Sequence, residues 1–362
     1  MTDLIQVFLG TKAQYIKTAP LLRLMDERGV PYRLIDSGQH AALSVGLREE
    51  LGVRTPDVVM GGDVDITSIP QAALWAGKLS LSLASGTALR EEVFGDAGGI
   101  CVVHGDTPST LLSALMAKRA GLRVAHLEAG LRSHHLLHPF PEELIRIVVM
   151  RAADVLYAPD AEAVRNLRAM RVKGDVVRIA ANTVVESLSH DLAPSDGSLA
   201  GTGPAVVTMH RVENLNKRAR VERFVATAER IAATRPVRFV VHGPTAETLA
   251  QGGFIPRLER AGIELVSLVP HGAFVGMLQA APLVITDGGS IQEECALLGV
   301  PTLLWREHSE RPDGIGRNVV VSRYDQATID AFLADPQRWR VPPATDLPSP
   351  SAEILDDLLA RL

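Results

Sequence analysis

The chain has 362 residues, 46% hydrophobic and 22% charged, with a formal net charge of −5. That length suggests about two domains with real cores, and the acidic balance argues against nucleic acid as a partner. Cys101 and Cys295 lie far apart in apolar stretches and read as buried thiols in a reducing compartment, not a disulfide. No apolar run approaches the ~20 residues of a membrane helix. The opening MTDLIQVFLG enters a strand with no basic region before it, so we expect no signal peptide and a cytoplasmic protein.

In chain order, Leu4 to Leu9 reads as a strand ended by Gly10-Thr11, and Tyr15 to Arg28 as a helix. Leu21, Leu22, Leu24 and Met25 form its apolar face. Tyr32 to Ile35 is a second strand; the turn Ser37-Gly38-Gln39-His40 leads into a helix through Leu51. Ile66 to Leu83 reads as helical, with Pro70 near its start. Ile100 to Val103 is a central strand, Thr110 to Arg119 a helix, and Val124-Ala125-His126 the next strand. Glu128 to Pro141 holds too much Gly, His and Pro to be regular. Glu142 to Ala152 is helical and Val155 to Tyr157 a short strand. Such alternation argues for a parallel sheet with right-handed crossovers.

The pattern weakens at the polar stretch Ser195 to Gly203 and then resumes. Ala205 to Thr208, Val237 to Val241, Leu265-Val266 and Leu283 to Ile285 read as strands; Arg220 to Ala233 and Ala273 to Ala280 read as helices. No repeat at solenoid periods occurs. The expectation is an α/β chain of two Rossmann-like, doubly wound domains, residues 1–175 and 176–351. A last helix over 352–362, striped by Ile354, Leu355, Leu358 and Leu359, needs a surface to cover and is expected to return to the first domain.

One stretch stands out. The strand ending at Ile285 leads into Thr286-Asp287-Gly288-Gly289-Ser290, then a helix from Ile291 to Leu298, stopped by Gly299 and Pro301. A strand, a glycine turn and a helix N-terminus make an anion site, because free backbone N–H groups and the helix dipole both favour negative charge. Glu293 and Glu294 in its first turns suit helix capping or ribose hydroxyls.

Other polar groups also fall where strands end, where open α/β sheets bind ligands. Lys12 and Lys17 flank the first turn, in reach of phosphate or simply as a solvated helix start. Asp106, Glu128 and Glu142, with Arg146 one turn on, either converge or serve as separate helix caps. Carboxylates that share a site have their pKa values pushed apart, as acid–base chemistry requires. His210, Arg211 and His242 suit a diphosphate clamp or a satisfied loop. The histidines, including the loop residues His134, His135 and His138, are too scattered to argue for a metal. No G-x-S-x-G elbow or Walker A loop occurs.

Seven blocks together carry a resemblance: VHGDT (103–107), HLEAGLRS (126–133), PFPEELIR (139–146), NTVVESL (182–188), HRVEN (210–214), TDGGSIQEE (286–294) and SERPDG (309–314). In this order, across nearly the whole chain, they resemble the UDP-N-acetylglucosamine 2-epimerase family. The IQEE and SERPD segments resemble its non-hydrolysing bacterial branch. The resemblance implies two Rossmann-like domains facing a cleft, the GT-B arrangement. It implies Asp106, Glu128 and Glu142 as catalytic carboxylates, with His210 beside them. Lys12, Lys17, Arg146, Arg211 and His242 would line the nucleotide-sugar site. Gly288, Gly289 and Ser290 would form the phosphate turn, Glu294 would hold the ribose, and Phe274 would lie near the uracil. Gln39 and His40 match a pair at the family's regulatory site for a second substrate molecule. It further implies a UDP-sugar substrate, UDP as product, no cofactor, a homodimer, and a role in cell-surface polysaccharide synthesis. Rivals in the wider class are a hydrolysing 2-epimerase, a GT-B glycosyltransferase and a non-catalytic nucleotide-sugar binder.

The sequence also departs from the family. GTRPE has become Gly10-Thr11-Lys12-Ala13-Gln14, which loses a bidentate arginine fork and a charge. TDSGG has become TDGGS, which moves the hydroxyl within the turn. HRREN has become HRVEN, with Val212 for an arginine, and the positions after the Gln39-His40 pair are Ala41 and Ala42. These last changes predict weak or altered regulation.

Overall fold

Apolar residues fill most interior positions of the central strands because both faces of each sheet are covered. In β1 (Asp3–Leu9), Ile5, Val7 and Leu9 join one core while Phe8 joins the other. In β4 (Gly98–His104), Ile100 and Val102 face the first core, Cys101 and Val103 the second. The computed structural model describes residues 3–39, 41–61, 71, 74–75, 77, 80–81, 83–135, 141–191, 201–344 and 348–362. They form two units, Met1–Ser187 with Pro348–Leu362, and Leu188–Leu347.

Among the described residues, the first unit holds a seven-stranded parallel sheet in the order β3-β2-β1-β4-β5-β6-β7. Its other strands are β2 (Tyr32–Asp36), β3 (Val58–Val59), β5 (Arg123–Leu127), β6 (Val155–Ala158) and β7 (Asp175–Arg178). Its helices include α1 (Lys12–Glu27), α2 (Ala41–Leu51), α3 (Pro108–Arg119), α4 (Glu142–Ala152) and α5 (Ala161–Ala169), with α6 (Val184–Asp191) leaving it. β1 pairs with β2 on one side and β4 on the other, so the winding reverses there. That reversal is the switch point where such sheets bind ligands.

The second unit repeats the pattern with six parallel strands among the described residues, in the order β10-β9-β8-β11-β12-β13. These are β8 (Ala205–Thr208), β9 (Val237–Val241), β10 (Glu264–Ser267), β11 (Val284–Thr286), β12 (Thr302–Leu304) and β13 (Val319–Val321). The helices are α7 (Val212–Leu215), α8 (Arg218–Ala232), α9 (Gly243–Gln251), α10 (Ile255–Arg260), α11 (His271–Ala280), α12 (Gly289–Leu298) and α13 (Gln326–Ala334).

Several boundaries differ from the sequence expectation. α1 starts at Lys12 rather than Tyr15, because Thr11 and Gln14 close a capping box. α12 starts at Gly289 rather than Ile291. The units divide at Ser187/Leu188, beyond β7, which extends the first sheet by pairing with β6. The last helix, α14 (Pro350–Arg361), lies in the first unit against α1, burying Ile354, Leu355 and Leu358. Leu359, expected on the same stripe, is exposed. Tyr157 donates to Asp357 at 2.8 Å and Arg361 pairs with Asp175 at 2.7 Å, fastening α14 to β6 and β7. Pro70, His138, Pro139, Phe140, residues 195–200 and most of the predicted helix over 66–83 lie outside the described residues; 71, 74–75, 77 and 80–81 are helical. No described helix is long and apolar enough to cross a membrane.

Candidate functional site

In the first unit the charged groups gather where β1, β4 and β5 end. Lys17, one turn into α1, places Nζ 2.6 Å from Glu128 Oε1, with the side chains only 4% and 6% exposed. The ammonium expected near phosphate is therefore turned towards a carboxylate. Asn182 Nδ2 donates to the same oxygen at 2.6 Å, and His104 Nδ1 is 3.9 Å from the other. Glu128 itself adopts the left-handed region, φ 64°. A non-glycine residue there is held by its surroundings, a strain found at functional sites. His126 Nε2 lies 2.7 Å from the Gly105 carbonyl, which only accepts, so that nitrogen carries the hydrogen. Burial lowers the His126 pKa; the Gly105 contact and the nearby carboxylates Glu128 and Asp106 oppose it.

Asp106 pairs with Arg146, which also reaches Glu143 Oε2 at 3.4 Å. Glu143 is fully buried and accepts from Arg132 and from the Ser133 N–H. Burial alone would raise its pKa, but the Arg132 and Ser133 hydrogen bonds and the charges of Arg132 and Arg146 hold it below the ordinary value. Glu142 is half-buried at the first position of α4, beside this network, and Lys12 is half-buried at the start of α1. Gln39 is half-buried with Oε1 unpartnered among the described residues; His40 lies outside them.

The second unit builds its set around Asp287, whose buried carboxylate accepts the N–H groups of His210 and Arg211 and the Asn214 amide, at 2.9–3.2 Å. This ties the end of β8 to the end of β11. His210 stacks on His242, ring centroids 5.0 Å apart. Burial lowers the His210 pKa against the pull of Asp287. Gly288 and Gly289 are both crowded by side chains. A β-carbon at Gly288 would sit 2.8 Å from His210 Cε1, and at Gly289 2.8 Å from Arg311 Nε. The hydroxyl of this turn stands at Ser290, half-buried on the first turn of α12. The N–H groups opening that helix have no acceptors within it.

Glu294 is buried, with Oε1 3.0 Å from His271 Nε2 and Oε2 without a partner among the described residues. A buried carboxylate oxygen without a donor is costly unless a ligand supplies one. Phe274 is half-buried one turn after His271 on α11. The SERPDG segment lies against the start of α12. Gln292 donates to the Arg311 and Asp313 carbonyls at 3.0 Å, Arg311 pairs with Glu293, and Arg306 pairs with Glu310 at 2.6 Å. Arg211 lies 3.5 Å from Glu310. Burial, then the Arg211 charge, lower the Arg306 pKa. Among the described residues, no group of three or more His, Cys, Asp or Glu is placed to hold a metal.

The structure thus gathers Lys17, Glu128, Asp106, Arg146 and Glu142 on the first unit. It gathers His210, Arg211, His242, Gly288, Gly289, Ser290 and Glu294 on the second. Sequence reading assigned no role to Asn182, Arg132, Glu143, His271 or Asp287. Asn182, Arg132 and Asp287 lie in blocks that carry the resemblance, and Glu143 carried a local signal in its i, i+3 spacing to Arg146 on a helix.

Two parallel sheets wound in the same 3-2-1-4-5-6 sense, with charged groups at their carboxyl strand ends, define an α/β protein of the double Rossmann class. A family model described as UDP-N-acetylglucosamine 2-epimerase matches residues 23–336. A relative of that name from Methanocaldococcus jannaschii is 25% identical over 368 residues, covering 93% of this chain and 94% of the relative. The UDP-2,3-diacetamido-2,3-dideoxy-D-glucuronate 2-epimerase of Pseudomonas aeruginosa is 27% identical over 334 residues, 88% of each chain. The crystal structure of the M. jannaschii UDP-GlcNAc 2-epimerase in complex with UDP-GlcNAc and UDP shares the fold. Its TM-score is 0.81 at 23% identity, over 98% of this chain and 99% of that one. The chain belongs to the UDP-N-acetylglucosamine 2-epimerase family and is an epimerase.

Proposed function

We propose that the enzyme inverts C2 of a UDP-N-acetylglucosamine-type nucleotide sugar, giving the manno form without net hydrolysis. The observation that carries this reading is the pair of ion pairs at the carboxyl strand ends of one sheet, Glu128 with Lys17 and Asp106 with Arg146. They hold two carboxylates at fixed places beside a third, Glu142. The second unit would take the nucleotide. The bare Oε2 of Glu294 can accept a ribose hydroxyl, and the opening N–H groups of α12 with His210 and Arg211 can receive the diphosphate. The complex of the M. jannaschii relative with UDP-GlcNAc and UDP supports that ligand.

The C2 hydrogen is only weakly acidic, so a free carbanion would be costly. In the proposed route a carboxylate removes the C2 proton while the C1–O bond to UDP breaks, leaving 2-acetamidoglucal and UDP. A UDP oxygen then re-forms the bond to C1 as a proton reaches C2 from the opposite face. This needs an acid and a base on opposite faces and donors to stabilise the leaving diphosphate. No redox step occurs. The P. aeruginosa relative acts on a sugar altered at C3 and C6, so a substrate modified there belongs to the same proposal. The resemblance of IQEE and SERPDG supports the non-hydrolysing branch. It also supports a cytoplasmic homodimer whose product feeds cell-surface polysaccharide synthesis.

The test is incubation with UDP-GlcNAc and NMR of the products. The epimer supports the proposal and free sugar plus UDP indicates hydrolysis. No change with UDP-GlcNAc or with a relative modified at C3 and C6, in the absence of an acceptor, points to a transferase or a binding protein.

A further inference from the structure

We infer that Gln14 is a positioning residue that fixes the Asp106 turn through the donor half of its amide. The positioning role rests on the reading of Asp106 as a reacting group; the tie itself does not.

Gln14 is 2% exposed at the start of α1. Its Oε1 accepts from the Gly10 N–H at 2.8 Å, the Thr11 N–H at 3.0 Å and the Ser109 hydroxyl at 3.2 Å. Its Nε2 lies 2.8 Å from the His104 carbonyl, 3.1 Å from Thr107 Oγ1 and 2.9 Å from Thr110 Oγ1. The orientation of the amide is settled by its neighbours. Backbone N–H groups only donate and a carbonyl only accepts, so oxygen must face Gly10 and Thr11 and nitrogen must face His104. An apolar side chain would orphan two buried N–H groups. A carboxylate would set an oxygen 2.8 Å from the His104 carbonyl oxygen, out of reach of water.

The gripped segment is the one that carries Asp106. His104 precedes it, held by Gln14 and by the Thr110 hydroxyl at 2.7 Å. Thr107 follows it, held by Gln14 while capping α3. Gly105 lies between, at φ 72°, with its carbonyl on His126 and its N–H on the Leu127 carbonyl. With both flanks fixed, the Asp106 carboxylate has a defined origin for its contact with Arg146. The replacement of a family glutamate by Gln14 is then a change of donor, not merely a lost charge. Among the described residues no cation touches its head group.

The experiment uses the full chain and the near-isosteric Gln14→Glu variant. The new carboxyl should hold its proton, since only the protonated form can donate to His104. Its folded pKa is then raised above the unfolded value of about 4.3. The variant therefore stays close to wild type at low pH and loses stability as pH rises through that raised value. Urea midpoints should diverge from wild type between pH 5 and pH 8. Turnover relative to wild type should fall by about 10- to 100-fold over the same range, with KM little changed. Parallel pH dependence of the urea midpoints overturns the tie. A diverging midpoint with an unchanged turnover ratio leaves the tie purely structural and overturns the positioning role. A diverging midpoint with a wild type that turns over no nucleotide sugar removes the epimerase reading and the role with it. Should the variant not fold at pH 8, it is folded at pH 5 and jumped to pH 8. Unfolding no faster than wild type overturns the tie.

Discussion

The His210 ring lies against Gly288 so closely that a β-carbon there would come within 2.8 Å of His210 Cε1. Gly288→Ala should displace the ring or the turn, costing about 1–3 kcal/mol as overpacking does, and weaken UDP binding. Gly243→Ala is the control, because nothing lies within 4 Å of its added carbon. Urea unfolding and UDP calorimetry on both variants read the difference. Equal behaviour would remove the crowding argument.

Glu294→Ala should weaken UDP binding by about 1–3 kcal/mol, the cost of losing a hydrogen bond to a charged group. His271→Ala should produce a smaller loss, because it frees the carboxylate without removing it. Calorimetry with unchanged UDP affinity for Glu294→Ala would refute the assignment of this residue to the nucleotide.

Asp106→Asn, Glu128→Gln and Glu142→Gln should each cut turnover by about 10²–10⁴-fold, the usual worth of a general acid or base. Glu128→Gln should differ from the others in stability. It breaks the buried ion pair with Lys17, a loss of about 3–5 kcal/mol. The double variant Lys17→Met with Glu128→Gln should regain stability but not turnover. In D2O the wild-type product should carry deuterium at C2. Near-normal turnover in all three amide variants, or product without deuterium, would rule out elimination and re-addition.

Glu143→Gln should destabilise the chain at pH 7, and the gap to wild type should close under acid. The Glu143 pKa is depressed in the fold, so its contribution is present above the ordinary value of 4.5 and is lost as pH falls through the folded value. Urea unfolding between pH 7 and pH 3 reads the sign. A gap that widens under acid would contradict it.

Central strands such as Ile100 to Val103 were legible because strands buried on both faces are continuous apolar runs. The edges were not. β7 reads Asp-Val-Val-Arg and is half-buried, so its composition resembles a loop. α9 opens on Gly-Pro after His242, which in sequence looks like a turn. The site was legible as residue types at strand ends, since β-to-α turns show in sequence. Its pairings were not, because Lys17 finds Glu128 111 residues away. Asp287 gathers N–H groups from a turn more than seventy residues earlier, for which no local spacing exists. Gln14 was half-legible: the Thr-x-x-Gln spacing announces a capping box, but not the His104 contact.

The return of α14 to the first unit sets an order of events at the ribosome. Chains are made from the N-terminus, and domains generally fold in that order. Here the face of α1 that receives Ile354, Leu355 and Leu358 stays bare until residues beyond 348 emerge. The second unit, an unbroken stretch, can close while the first still waits for its last helix. A nascent chain halted at residue 347 therefore lacks the helix that covers this apolar surface of the first unit.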